Sequence, residues 1–77
     1  MSVALTELKS LLAKRGVTWH EVGSAIAWEV HGYFQREMPD GTVLRAMVIL
    51  YDKDMPVHTE MERQIYRRLG LDDAPFN

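Results

Sequence analysis

The side chains best suited to proton transfer or metal ligation in this chain are three histidines, His20, His31 and His58. Glu29 and His31 stand two residues apart, so on a strand they share a face and could meet a metal ion. His58 and Glu62 stand about one helical turn apart. A carboxylate beside an imidazole can orient a general base, but catalysis and metal binding both need a further group at matching spacing, which neither pair has. There is no cysteine to act as a thiolate, and Gly16, Gly23, Gly32, Gly41 and Gly70 are too scattered for a phosphate-cradling loop. Arg63, Arg67 and Arg68 form a basic cluster that could face an acidic partner or a phosphate backbone. Yet Glu60 lies three residues before Arg63, and a helix dipole by itself favours arginines near its C-terminus. The inventory predicts a non-enzyme with no catalytic residue, no metal and no cofactor.

The elements that must position these side chains are organised around Trp28 to Tyr51. Pro39-Asp40-Gly41 reads as a turn, with Pro39 presetting φ and Gly41 supplying a left-handed residue, between runs that alternate as strands do. If Met38 lies opposite Thr42, then Arg36 faces Leu44, Phe34 faces Ala46, Gly32 faces Val48 and Val30 faces Leu50 on one side, which is almost wholly apolar. The other side pairs Glu37 with Val43, Gln35 with Arg45, Tyr33 with Met47, His31 with Ile49 and Glu29 with Tyr51. Lys53 to Pro56 is a polar break that ends the second strand.

Before the hairpin, Leu5, Leu8 and Leu12 recur at helical spacing in a segment from Ser2, a capping residue, to Arg15, with Gly16 as the stop. Thr18 and Glu21 stand at capping-box spacing, with Val17 and Val22 placed as a hydrophobic staple, so a second, short helix is expected from Thr18. After the hairpin, Thr59 and Glu62 suggest another capping box, and Met61, Ile65 and Leu69 line a helix closed by Gly70, with Leu71 against Tyr66. The expected fold is a single small α+β domain over residues 1–77, in the order α, short α, β, β, α. A two-stranded antiparallel hairpin is covered on one face by helices, and residues 72–77 form a frayed tail. The predicted core holds Leu5, Leu8, Leu12, Val22, Ile26, Trp28, Val30, Phe34, Leu44, Ala46, Val48, Leu50, Ile65 and Leu69, with Tyr66 more exposed.

A different arrangement competes for residues 17–38. The run Arg15-Gly16-Val17-Thr18-Trp19-His20-Glu21-Val22-Gly23-Ser24-Ala25-Ile26-Ala27-Trp28 resembles the opening of a helix-turn-helix. The resemblance implies Gly23 at the small position of a first helix, Ala27 in the tight turn, and a recognition helix from Glu29 to Met38 with Tyr33 buried, hence a DNA-binding transcriptional regulator. It discards a strand register that agrees over five successive pairs, so the hairpin is the leading expectation.

Net charge sharpens the choice. Nine basic and eleven acidic side chains leave −2, whereas phosphate-binding domains usually carry a basic surplus. Seventy-seven residues make a domain that buries only about 60% of its unfolded surface, so self-association is in view. The start of the chain lacks a secretory pattern, no stretch reaches the roughly 20 apolar residues that span a bilayer, and a cytoplasmic setting without membrane contact is expected. The second hairpin side, with Tyr33, Met47 and Ile49 at its centre and His31 and Tyr51 beside them, is the expected binding surface for a protein partner or a second copy of the chain. Compact domains of this kind often serve as inhibitors or adaptors, including those carried by phages, an analogy of size and composition.

Overall fold

The turn at Pro39-Asp40-Gly41 closes as its residue types demand. Met38 N–H donates to the Thr42 carbonyl at 2.7 Å and Gly41 N–H to the Met38 carbonyl at 2.9 Å. Gly41 takes φ +92°, a region that a side chain would strain. The Asp40 carboxylate accepts from Thr42 N–H at 2.9 Å, and that bond holds its pKa below the ordinary value. In this computed structural model, which describes residues 3–23, 26–52 and 54–71, the elements are α1 (Leu5–Ala13), β1 (Val17–Val22), β2 (Val30–Glu37), β3 (Val43–Leu50) and α2 (Thr59–Arg68). β2 and β3 pair in the expected register, with Phe34 opposite Ala46 and Tyr33 opposite Met47.

The sheet has three strands, which corrects the expected two-stranded hairpin and removes the short second helix. Val17–Val22 is β1, antiparallel to β2, with Val17 opposite Arg36, Trp19 opposite Phe34 and Val22 opposite His31. The capping-box spacing there is a local preference, and tertiary pairing overrides it. Val17, Thr18, Trp19 and Val22 are residues that suit a strand, and burial alternates from Val17 to His20 as a strand requires. The helix-turn-helix arrangement fails for the same reason: the expected recognition helix is β2.

Gly32 explains how β1 is seated. A Cβ there would fall on the Trp19 ring and 2.7 Å from the His20 carbonyl, so only glycine admits the indole over the centre of β2. The Trp19 ring lies 4.8 Å from that of Phe34, and Lys9 of α1 sits 5.0 Å from the Trp19 centroid. Its Nε1–H is buried without a hydrogen-bond acceptor among the described residues.

Both helices lie on the same side of the sheet, α1 against β1 and α2 against β3. Leu5, Leu8 and Leu12 meet Val17, Phe34, Ala46, Val48 and Leu50 from the sheet and Ile65, Tyr66, Leu69 and Leu71 from the C-terminal end. α1 begins later than expected, with Ala4 at its N-cap position and no side-chain cap; the proposed cap Ser2 lies outside the described residues, as does the tail 72–77. At α2 the N-cap is His58 and not Thr59, its Nδ1 accepting Glu60 N–H at 3.3 Å. The far end closes as expected, Leu71 N–H donating to the Tyr66 carbonyl at 2.8 Å. Arg36 adds a charged cap, its Nη1 donating to the Leu69 carbonyl at 2.7 Å.

Several core assignments change: Val30 and Leu44 are half-buried at the margin of the core, and Val17 and Leu71 belong to it. Val22, Ile26 and Trp28 were expected inside and are exposed, Trp28 at 62%. Tyr66, expected nearer the surface, is 3% exposed, and burial raises its phenol pKa. Val57 also enters the core, pinned by a two-bond bridge to Val3.

Candidate functional site

Because both helices pack on one side, the outer side of the sheet has no layer above it among the described residues. Strand alternation determines what it carries. Register sets Thr18, Gln35 and Arg45 in one row across the three strands, His20, Tyr33 and Met47 in the next, and Val22, His31 and Ile49 in the third. Each row takes one side chain from every strand.

The first two rows are tied together by polar and ring contacts. His20 stacks on Tyr33 with centroids 5.0 Å apart and planes at 17°, and its Nε2 lies 2.9 Å from Thr18 Oγ1. The Arg45 guanidinium sits 5.4 Å from the Tyr33 centroid, and its Nε donates to Gln35 Oε1 at 3.0 Å. Tyr33 is thereby held half-buried, in a fixed orientation, at the middle of an open face. The side chains around it are apolar and solvated: Met47 is 59% exposed and Ile49 44%, with Val22 and Val43 also exposed. Tyr51, one residue past β3, is 70% exposed.

Of the five residues singled out from sequence, Tyr33, Met47, Ile49 and His31 therefore lie on one face in adjacent rows, and Tyr51 lies just beyond its end. Sequence reasoning missed His20 and Val22, which join the face through β1. The signal was present in the alternation of Val17-Thr18-Trp19-His20, and in an isolated glycine at position 32, which marks close approach inside a strand.

The titratable pairs have ordinary structural employment. His31 Nε2 lies 2.9 Å from Glu29 Oε1, at the rim of an open cleft of about 400 Å³ whose walls include Glu21, Val22, Ile26 and Val30. Among the described residues the cleft wall sets no serine, threonine or cysteine beside that dyad. His58 caps α2 and does not pair with Glu62 through its ring. Among the described residues no three potential metal ligands converge, and no helix is long and apolar enough to cross a membrane.

Comparisons with family models, with curated proteins and with solved structures return no match.

Proposed function

We propose that this chain is a small non-enzymatic interaction module that binds a protein partner through the outer face of its sheet, in the manner of an inhibitor or adaptor. One observation carries the reading: a sheet face with no covering layer among the described residues presents Val22, Val43, Met47 and Ile49 around a fixed tyrosine. Antiparallel sheets with one solvated face ordinarily put polar residues outward, and a cluster of apolar ones there marks a contact surface. Tyrosine, methionine and arginine are also the types enriched at interface centres, since they bury large areas and adapt to a partner. The DNA-binding alternative keeps neither the helices it needs nor a favourable charge, because residues 17–38 supply two strands and the net charge is −2. A cytoplasmic setting belongs to the proposal, supported by a chain without cysteine.

The test is capture by the immobilised chain from an extract of its source cells, compared with the double variant Tyr33→Glu, Met47→Glu. Both carboxylates would have to enter a desolvated contact, so a partner retained by the parent should be lost by the variant. Equal retention by the two would remove this face from the mechanism.

A further inference from the structure

Among the described residues the order β1-β2-β3 leaves β3 as an edge strand with no strand on its outer side. Met38 and Thr42 are hydrogen-bonded across the turn, and bonded pairs alternate with non-bonded ones along an antiparallel ladder. Leu44, Ala46, Val48 and Leu50 therefore address their N–H and C=O groups to β2, while Val43, Arg45, Met47 and Ile49 address theirs to the open edge. Natural sheets guard such an edge with charged side chains, lysine above all, with proline or a bulge, or by short length. β3 has one such guard, Arg45, in eight residues of unbroken register with β2. That charge leans over β2, through its bond to Gln35 and its contact with the Tyr33 ring, and leaves the edge clear. β1, by contrast, is six residues long and carries Glu21 among the residues facing its open edge.

We propose that β3 pairs antiparallel with β3 of a second copy about a two-fold axis at Ala46, joining two sheets into one of six strands. Symmetry and charge select this register. Keeping the apolar sides aligned requires an outward-facing residue to oppose another, since a one-residue slip would turn the inner face to solvent. A two-fold at Arg45 would set that charge against itself. A two-fold at Met47 would match the edge-facing Val43 with Tyr51 beyond the strand, whereas the axis at Ala46 leaves outside only Leu50, whose backbone faces β2, opposite Thr42. The axis at Ala46 opposes Val43 to Ile49 and Arg45 to Met47, and uses the strand almost end to end. This goes beyond the face binding proposed above, because it employs the β3 backbone, and it would place two outer faces side by side on one surface.

Sedimentation equilibrium of the full chain over a wide concentration range tests it, together with filtered nuclear Overhauser spectra on a mixture of labelled and unlabelled chains. The expected result is a dimer with an Ala46 Hα to Ala46 Hα contact between copies. Met47→Lys puts an ammonium opposite Arg45 of the other copy, twice per dimer, and should weaken association roughly tenfold. Adding Arg45→Glu should restore it, since each new pair is then of opposite sign. Tyr33→Glu alters the face on the central strand and should leave the dimer in place, so loss of partner capture and loss of dimer are read separately. A chain that stays monomeric, a dimer without the Ala46 contact, or a Met47→Lys effect that Arg45→Glu fails to reverse would overturn the edge pairing. A dimer abolished by Tyr33→Glu would transfer self-association to the outer face.

Discussion

At the scale of single residues, Gly32 and Trp19 act as one unit. The indole occupies the space that a Cβ at position 32 would need, with the His20 carbonyl only 2.7 Å from that point. Gly32→Ala should therefore destabilise the domain by about 1 to 3 kcal/mol, the usual range for overpacking. Trp19→Ala opens the same space, so adding Gly32→Ala to it should cost markedly less than Gly32→Ala alone. Urea unfolding of the two single variants and the double variant measures this coupling, and additive losses would show that the two residues do not share the space. The glycine was legible as a break in a strand pattern, but its partner was not. Thr18 and Glu21 favour a helix around Trp19, but a capping motif records a local preference that long-range pairing can outweigh.

Among the elements, α2 carries the largest revision. His58 caps it, Arg36 holds its far end from β2, and Tyr66 turns inward beside Ile65. Tyr66→Ala should thus cost about as much as Phe34→Ala, roughly 3 to 5 kcal/mol each, while Trp28→Ala should stay within about 0.5 kcal/mol. Thermal unfolding of the three variants would reveal a wrong division of faces if Trp28 proved the costly site. α2 also brings Glu62 near Glu7 of α1, and burial first, then the Glu7 charge, raise the Glu62 pKa above the ordinary carboxylate value. A raised folded-state pKa means that the native chain binds this proton more tightly than the unfolded chain. The charged form therefore opposes folding above the folded pKa, and that opposition fades as pH falls through it. Glu62→Gln should raise the Tm at neutral pH, and its advantage should shrink below the carboxylate range. An advantage that grew on acidification would contradict the assignment.

For the molecule as a whole, the hairpin register and the first and last helices were legible because they rest on short-range signals: a Pro-Asp-Gly turn, alternation across Trp28 to Tyr51, and leucines at helical spacing. β1 was not legible, because a strand at the edge of a sheet is defined by the neighbour it pairs with, and its alternation ran through a capping motif. The helix reading also turns Val22 and Ile26 onto the core, while Trp28, expected at the start of the first hairpin strand, lies before β2 begins at Val30 and is exposed. The face that carries Tyr33, Met47 and Ile49 is set by the β2–β3 register alone, and β1 adds His20 and Val22 to it. Whether this outer face is separate from the core is decided by circular dichroism through a thermal melt of Tyr33→Glu, Met47→Glu. The two new carboxylates would face each other across β2 and β3, and the Tyr33 ring contacts would be lost. Both lie on a solvated face beside Arg45, however, so a native spectrum and a cooperative transition within about 2 kcal/mol of the parent are the expected outcome. A variant with no folded baseline would contradict it, because the face would then be part of the domain's own core.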